Sequence, residues 1–206
     1  MIRSECRAGV TFLTIDRPDK ANSLTGRMLR DLMAALDDAA AHDCHALVLT
    51  GAGKVFSAGA DLAEARAGLA TSALWEQVSS RMASMPCLTI AALNGTLAGG
   101  AFGVVLACDL RLAVPEAKLF YPVMKLGFLP QPSDPRRLAA LVGPARAKMI
   151  LMAGARVEAT EARDWGLIDW IVPADVLLGA ATELAADAIS ASPEHVAAIK
   201  AMINQP

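Results

Sequence analysis

Two segments decide the fold of this chain: residues 55–62, VFSAGADL, and residues 94–103, NGTLAGGAFG. Each has the pattern of a buried strand that turns through small residues into a helix. Glycine and alanine at such a turn let the backbone approach a neighbour or a ligand closely. Placed side by side, the two turns would direct two peptide N–H groups at one oxygen. The pair therefore predicts a main-chain oxyanion hole, the type of site that stabilises an enolate or tetrahedral anion in acyl chemistry.

The composition fits one α/β domain with a large core. The chain has 206 residues, of which 54% are hydrophobic and 19% charged, and its mean hydropathy is +0.40. These values are too apolar for a disordered chain. The net charge of −2 and the absence of a Lys/Arg run give no indication of a nucleic-acid partner.

The cysteine pattern and the N-terminus favour a cytoplasmic protein. The four cysteines never form C-x-x-C, so we predict reduced thiols, and residues 1–5 carry no apolar targeting segment. Residues 87–108 contain no charged residue, so a transmembrane helix has to be considered. Asn94 and four glycines in that run favour a buried strand, turn and helix instead.

Three local motifs are better explained as ordinary structure. Residues 51–54, GAGK, lack the spacing of a phosphate-binding loop. Residues 42–45, HDCH, hold metal-capable side chains without a second cluster elsewhere, so we predict a solvated turn and no metal. Ser57 precedes Ala-Gly, but no histidine has a context that marks it as its base, and no G-x-S-x-G motif is present.

Strand and helix patterns alternate along the chain. Buried strands are predicted near residues 10–15, 46–50, 87–93, 110–114, 118–121 and 167–172. Helical spacing is predicted for residues 25–36, 100–108, 135–152, 158–165 and 176–203, and residues 58–65 are predicted to be a small-residue turn that opens a helix. We expect one break near Gly143-Pro144 and a single break in the tail, at Ser192-Pro193. The expected organisation is a core over residues 1–175 and a C-terminal helical segment over residues 176–206.

Read in order, the motifs resemble one family. They are residues 17–24 (RPDKANSL), 56–62 (FSAGADL), 94–100 (NGTLAGG), 107–109 (ACD), 126–130 (LGFLP), 137–138 (RL), 161–169 (EARDWGLID) and 192–193 (SP). Together they are similar to the enoyl-CoA hydratase/isomerase (crotonase) family, nearly in register from residue 10 to residue 203.

The resemblance implies a spiral of strand–strand–helix units, trimers or paired trimers of identical subunits, and acyl-CoA thioesters as substrates. Coenzyme A is then part of the substrate, and no separate cofactor is expected. The thioester oxygen would accept hydrogen bonds from the N–H groups of Ala60 and Gly100. The resemblance implies that Lys20 and Ala21 lie in a loop along the nucleotide of coenzyme A, and that Ala58, Ala60 and Leu62 belong to a strand whose main chain holds the adenine. Asp61 is implied to belong to the same site.

The chain departs from the family at both positions where hydratases carry a glutamate. Gly103 stands three residues after the oxyanion glycine, and Val123 follows the proline of the second motif. Neither residue can take or give a proton. An aspartate that some members carry after G-x-x-P is Gln131 here. The nearest remaining candidates are Tyr121, Lys125 and Asp134, which we expect at the pocket rim or on the surface.

These features predict an acyl-CoA enzyme that stabilises an enolate-like state, with decarboxylase or isomerase-type chemistry favoured over hydration. The alternatives are a non-catalytic acyl-CoA binding protein and a pseudo-enzyme subunit that assembles with an active paralogue. Apolar bulk near Trp75, Met82, Phe120 and Met124 suggests a hydrophobic acyl group. Relative to the family, the resemblance also implies a shortened set of C-terminal helices.

Overall fold

The computed structural model describes residues 1–42 and 44–204. These residues form two sheets surrounded by helices. The strands are β1 (Ile2–Arg7), β2 (Val10–Ile15), β3 (Ala46–Gly51), β4 (Val55–Ser57), β5 (Leu88–Leu93), β6 (Thr96–Ala98), β7 (Leu110–Ala113), β8 (Lys118–Phe120), β9 (Val157–Glu158) and β10 (Trp170–Ile171). The helices are α1 (Gly26–Ala41), α2 (Leu62–Arg66), α3 (Leu74–Ala83), α4 (Ala101–Leu106), α5 (Val123–Leu126), α6 (Asp134–Leu151), α7 (Ala159–Asp164), α8 (Leu177–Leu184), α9 (Ala186–Ser190) and α10 (Pro193–Asn204). Two short 3₁₀ turns cover Pro18–Lys20 and Leu69–Thr71.

From β3 onwards, each turn of the chain places one strand in each sheet, which makes the fold a spiral. The larger sheet has the order β1-β2-β3-β5-β7-β10, and the smaller has the order β4-β6-β8-β9. Consecutive pairs such as β3 and β4, or β5 and β6, therefore divide between the sheets before a helix returns the chain. The pairings are parallel except for β1 with β2 and β8 with β9. The predicted strand–strand–helix spiral is confirmed.

Burial on both faces explains why the central strands have continuous apolar sequences. All six residues of β3 are buried, and five of the six residues of β5 are. Parallel strands covered on both faces read as apolar runs and do not alternate. Thr50 in β3 is satisfied because its hydroxyl donates to the carbonyl of Ala92, 2.8 Å away. The charge-free run around residue 90 is therefore sheet core and helix, as predicted.

Local signals determine the boundaries of the long helices. Thr25 caps α1, since its hydroxyl accepts from the N–H of Met28 at 3.1 Å. The apolar positions Leu29, Leu32 and Leu36 of α1 then face the core with no exposure. α6 has the predicted break, because Gly143 has φ 79° and ψ 159° and Pro144 follows it.

The C-terminal segment corrects one expectation. It breaks twice, at Ala185 between α8 and α9 and again at residues 191–192, whereas the sequence predicted one break. Ala185 is fully buried with φ −89° and ψ 0°, so packing against the core bends the chain at a residue with high helix propensity. Leu177 and Ala181 of α8 are buried in the same core as the sheets. Gln205 and Pro206, the end of the predicted helical segment, lie outside the described residues.

Within the described ranges, no helix is both long and apolar enough to cross a membrane. The four cysteines are free thiols, of which Cys6 is exposed and the other three are buried. Asp43, in the middle of the HDCH motif, lies outside the described residues. Elsewhere in the described chain, no group of three histidine, cysteine, aspartate or glutamate side chains is placed to hold a metal ion.

Candidate active site

The two small-residue turns lie against each other, as the sequence predicted. Gly59 follows β4 with φ +89°, and Gly99 follows β6 with φ +58°. A β-carbon built on Gly59 would lie 2.9 Å from the carbonyl oxygen of Ala98 and 3.2 Å from the amide nitrogen of Gly100. These spacings leave no room for a side chain between the backbones. Glycine at position 59 is what allows this approach.

Two amide groups at this junction have no hydrogen-bond partner within the described part of the chain. Among the described residues, neither the N–H of Ala60 nor that of Gly100 donates a hydrogen bond to the protein. Both residues are partly exposed. The bridge between Leu24 and the first turn uses the carbonyl of Gly59 and the N–H of Asp61, so it leaves the Ala60 amide unused. Two free amides beside one another can bind an anionic or polarised oxygen.

The loop of residues 17–25 holds the first turn in place. Arg17 pairs with Asp61 at 2.8 Å, and the buried Asn22 donates to the carbonyls of Ala52 and Val55 at 2.8 and 2.6 Å. The amide of Ala58 donates to the carbonyl of Ala21 at 3.0 Å. The polar residues of the RPDKANSL motif thus form a scaffold for the junction.

The other turn is anchored in a similar way. The Asn94 side chain accepts from the N–H of Gly51 at 3.0 Å and donates to the carbonyls of Gly53 and Val55 at 2.9 and 3.3 Å. Gly100 begins α4, whose six residues are all buried. A β-carbon on Gly100 would lie 2.9 Å from ring carbons of Trp75, which is itself buried on α3. Trp75 therefore fixes the position of the Gly100 backbone from the other side.

A buried carboxylate occupies the space beside Gly103. A β-carbon built on Gly103 would lie 2.5 Å from Oδ1 and 2.7 Å from Oδ2 of Asp134. Asp134 has no solvent exposure. The Tyr121 hydroxyl donates to Oδ2 at 2.9 Å, while Oδ1 has no hydrogen-bond partner within the part of the chain that the structure describes. A side chain at position 103 and the carboxylate of Asp134 cannot both occupy this space.

Burial is the main reason that the pKa of Asp134 is raised to about 6. The hydrogen bond from Tyr121 and the positive charge of Arg137 lower this pKa, and the negative charge of Glu76 raises it. Burial and the adjacent Asp134 also raise the pKa of Tyr121, so its hydroxyl stays protonated. A carboxyl group that titrates near neutrality is typical of functional sites.

Contacts between α3 and α6 fix the position of Asp134. Glu76 accepts hydrogen bonds from the N–H of Ser133, at 3.1 Å, and from the Ser133 hydroxyl. Arg137, one turn along α6, donates to the hydroxyl of Ser79 at 3.0 Å. Together these bonds tie the first turn of α6 to α3. The carboxylate of Asp134 is consequently held beside α4 by a defined polar network.

Comparison with known proteins identifies the family. The family model for enoyl-CoA hydratase/isomerase matches residues 5–206. The chain is 35% identical over 204 residues to YngF of Bacillus subtilis, whose name places it with the enoyl-CoA hydratases/isomerases, covering 95% of this chain and 78% of that protein. It is 30% identical to the enoyl-CoA isomerase/hydratase fer4 of Mycosarcoma maydis, covering 95% and 77%.

The solved structure of enoyl-CoA hydratase from Bacillus anthracis superposes with a TM-score of 0.91 at 32% identity, covering 99% of this chain and 82% of that one. DspI from Pseudomonas aeruginosa gives a TM-score of 0.90 at 32% identity, covering 98% and 85%.

The chain belongs to the enoyl-CoA hydratase/isomerase family.

The structure shows the surroundings of the two positions at which the resemblance expects hydratase glutamates. Gly103 lies inside α4 facing Asp134, and Val123 is buried at the start of α5. The expectation that Tyr121 and Asp134 lie at the pocket rim or on the surface is wrong, because both are buried. Aspartate at a helix start is usually an exposed cap, so no local pattern indicates that Asp134 is buried. Lys125 is exposed on α5.

The structure brings together most of the residues that the family resemblance assigns to coenzyme A. Ala21 contacts Ala58 through the backbone bond described above, Ala60 forms the bridge to Leu24, and the N–H of the adjacent Asp61 donates to the carbonyl of Leu24. The expectation of a strand through these positions is wrong, since β4 ends at Ser57 and the left-handed Gly59 follows. Asp61 caps α2 by accepting from the amides of Ala63 and Glu64.

The partners of Asp61 account for its ionisation. The hydrogen bond from Arg17 is the largest influence that lowers the pKa of Asp61, and the Glu64 amide adds to it. Its carboxylate therefore has a structural role.

Leu62 is 77% exposed, and Lys20 is exposed on the first 3₁₀ turn. The structure leaves these two side chains available to a ligand.

The four apolar residues suggested for an acyl pocket do not share one environment. Trp75 and Met82 are buried on α3, and Trp75 lies against Gly100. The ring of Phe120 is covered by the guanidinium of Arg156 at 4.4 Å, and Met124 is 58% exposed. A cavity of about 1040 Å³ lies elsewhere, between α10, α6 and the end of α4. Of the described residues, neither Gly100 nor Asp134 lines that cavity.

Proposed function

We propose that this protein is an acyl-CoA enzyme that stabilises an enolate-like intermediate through the amides of Ala60 and Gly100. The observation that carries the proposal is the close approach of Gly59 to Gly100, which places two free N–H groups at one junction. Family membership supplies the substrate class, since the relatives are named for enoyl-CoA substrates. The thioester oxygen would accept from both amides.

The main-chain donors suit a reaction in which negative charge develops on that oxygen. Loss of one donor of this kind typically costs about 2.7–4 kcal/mol of transition-state stabilisation. The turns are held by Asn22, Asn94 and the Arg17–Asp61 pair, so the amides need little reorganisation when charge forms. Such preorganisation is the source of the stabilisation.

The coenzyme A moiety would lie along the outer side of the first turn. The main chain of residues 58–62 would contact the adenine, and Lys20 and Ala21 would lie along the nucleotide. The Ala21–Ala58 hydrogen bond and the exposure of Lys20 and Leu62 support this placement. No separate cofactor is proposed, because coenzyme A enters as part of the substrate.

The residues at the two hydratase positions direct the choice of chemistry. Gly103 and Val123 cannot hold or activate a water molecule. Decarboxylation of a malonyl-type thioester, or an isomerase-type proton shift, needs enolate stabilisation more than a pair of carboxylates. We therefore propose one of these two reactions in preference to hydration.

The same two residues favour a second candidate, a non-catalytic acyl-CoA binding protein or a pseudo-enzyme subunit. The two candidates differ in turnover, since a binding protein holds acyl-CoA and releases it unchanged.

We also propose a cytoplasmic homo-oligomer, a trimer or hexamer. Ile199, Met202 and Ile203 expose apolar surface on α10 that a neighbouring subunit would cover. Sedimentation equilibrium of the purified protein tests the oligomer directly.

One experiment tests the function. The protein is incubated with a panel of acyl-CoAs, including malonyl-CoA, 3-hexenoyl-CoA and crotonyl-CoA, while thermal shift follows binding and mass spectrometry follows products. We expect a raised midpoint with acyl-CoAs, since binding to the native state stabilises it. The absence of a shift at millimolar concentrations of every acyl-CoA would overturn the proposed substrate class.

Two variants test the amide pair. Ala60→Pro and Gly100→Pro each remove one N–H that makes no hydrogen bond among the described residues. Circular dichroism establishes that each variant keeps its fold. We expect both folded variants to lose turnover, and undiminished turnover in both would exclude the main-chain mechanism. Binding without any product would favour the binding protein.

A further inference from the structure

The geometry points to Asp134 as the acid–base residue of this site, with Oδ1 taking a proton from a carbon adjacent to a thioester carbonyl and returning it. The inference rests on the proposed function, because it requires an acyl-CoA held by the amides of Ala60 and Gly100. It goes further because it names a proton-transferring residue that lies at neither position 103 nor position 123, where the resemblance expects the hydratase glutamates.

The carboxylate lies on the side of α4 where a proton-transferring group is needed. Gly100 and Gly103 are three residues apart and share one face of the helix, about 4.5 Å apart along its axis. The oxygens of Asp134 lie 2.5 and 2.7 Å from the point where a β-carbon of residue 103 would start. Asp134 thus fills from α6 the position that a carboxylate side chain on α4 would otherwise occupy.

The hydrogen bonding of Asp134 leaves one oxygen available for chemistry. Oδ2 accepts from Tyr121, whereas Oδ1 is buried and without a partner among the described residues. A buried carboxylate oxygen in this state is costly, and its occurrence in a folded protein calls for an explanation. A substrate proton would provide the missing partner. Because Asp134 is fully buried, neighbouring side chains must move when the acyl chain enters.

The charges around Asp134 suit a base that works near neutral pH. Glu76 on α3 contributes a negative charge, Arg137 on α6 contributes a positive one, and Tyr121 after β8 contributes a neutral donor. α4 presents Gly103 and no charged group. The Tyr121 ring stacks on Phe102 of α4 with centroids 5.5 Å apart, which fixes the hydroxyl beside the carboxylate. A general base is most effective when its pKa lies near the working pH.

A single carboxylate is sufficient for a double-bond shift. The α C–H bond of a 3-enoyl thioester breaks, the proton bonds to Oδ1, and the electron pair moves into the thioester as a dienolate. The dienolate oxygen accepts from the two amides. Transfer of a proton from Oδ1 to the γ-carbon gives the 2-enoyl thioester, so no atom is gained or lost, and a proton on Oδ1 that exchanges with solvent first leaves deuterium in the product. The substrate class is therefore a β,γ-unsaturated acyl-CoA.

The test uses 3-hexenoyl-CoA in D₂O, with mass spectrometry to follow deuterium uptake and absorbance to follow the conjugated product. Asp134→Asn keeps the shape of the side chain and an acceptor for Tyr121 but removes the base. We expect its turnover to fall by about 10²- to 10⁴-fold with the thermal shift on acyl-CoA retained. The control Asp175→Asn removes an exposed carboxylate and leaves turnover unchanged.

Two further variants give readouts that a purely structural role would not change. Tyr121→Phe removes the hydrogen bond that lowers the pKa of Asp134, so the acidic limb of the pH profile of kcat/KM moves to higher pH. Gly103→Glu combined with Asp134→Ala returns a carboxylate to the same space from α4. This double variant should regain part of the turnover that Asp134→Ala loses.

The outcomes separate the two proposals. If folded Asp134→Asn turns over 3-hexenoyl-CoA as fast as the parent, Asp134 is not the base, while the proposed function stands. If the parent binds acyl-CoAs but neither exchanges nor shifts a proton, the Asp134 assignment is overturned, and product formation from malonyl-CoA then distinguishes a decarboxylase from a binding protein. If the parent binds no acyl-CoA, the proposed function fails and the assignment with it.

Discussion

Asp134 occupies the space that a side chain at Gly103 would need, with Oδ1 2.5 Å from the position of the missing β-carbon. The two residues are 31 positions apart in the sequence and belong to different helices, α4 and α6. The absence of a side chain at one position is therefore matched by a buried carboxylate from the other. This relationship explains how a family member without acidic residues on α4 can still place one beside it.

The stability of the protein should depend on pH through Asp134. Its pKa is about 6 in the folded protein and about 3.8 as the ordinary value, so the folded state binds the proton more tightly. The resulting stabilisation is complete below about pH 4 and is lost as the pH rises through 6. Over that window the parent should lose on the order of 3 kcal/mol relative to Asp134→Asn, at about 1.4 kcal/mol per pKa unit.

Urea unfolding of both proteins between pH 4 and pH 8 measures this difference. Asp175→Asn serves as the control, and its stability should run parallel to that of the parent across the range. A constant difference between the parent and Asp134→Asn would show that the carboxyl titrates in the folded protein as it does in the unfolded chain.

Hydration of crotonyl-CoA should be feeble. The family resemblance expects the two hydratase glutamates at positions 103 and 123, which hold Gly103 and Val123 here. General acid–base help is worth about 10²- to 10⁴-fold per group. Asp134 supplies at most one such group, and addition of water also needs a second group to hold and deprotonate the water. The decrease in absorbance of the conjugated thioester measures the rate. A rate equal to that of an ordinary hydratase measured alongside would contradict this expectation.

Local patterns were sufficient to predict most of the fold. The apolar runs at β3 and β5 and the break at Gly143 depend on residues close together in sequence, and each is found where it was predicted. The edge strand β1 was not predicted, because five of its six residues are exposed and carry no periodic apolar signal. Helix α3 was not predicted either, although Trp75, Val78 and Met82 recur at helical spacing and lie on one buried face.

The site was predictable only in part, for a physical reason. The contact of Gly59 with Gly100 could be predicted, because each of the two motifs contains the glycine that its turn requires. The Asp134–Tyr121 pair beside Gly103 depends on how α6 packs against α3 and α4, and nothing local to Asp134 distinguishes it from an exposed cap. Burial by distant segments, which also raises the pKa of Asp134, cannot be read from neighbouring residues.

Two glycine substitutions should change stability in opposite directions. A β-carbon on Gly95 would lie 2.0 Å from the carbonyl oxygen of Lys54, so Gly95→Ala forces two backbones apart and should cost about 3 kcal/mol or more. Gly179 lies inside α8 with no atom within 4 Å of the same position. Gly179→Ala should stabilise the protein by about 0.5–1 kcal/mol, because alanine favours the helix. Equal effects of the two changes in urea unfolding would contradict this packing.

The final prediction concerns the packing of Trp75 against Gly100. Gly100→Ala keeps the amide but puts a methyl group 2.9 Å from two carbons of the Trp75 ring. Overpacking of this kind costs about 1–3 kcal/mol, so the variant should be less stable although its N–H is intact. The same change made in a Trp75→Ala background should cost much less, because the ring no longer opposes the methyl group. The two costs should differ by about 0.5–3 kcal/mol, the range for residues in contact.

Urea unfolding of the four proteins in this double-mutant cycle measures the coupling directly. Turnover measured on the same proteins separates two effects of position 100, since the methyl group acts through the ring and the amide acts on the thioester. An equal cost of Gly100→Ala in both backgrounds would mean that the Trp75 ring does not hold the Gly100 backbone, and that the turn after β6 depends on its own hydrogen bonds for its position.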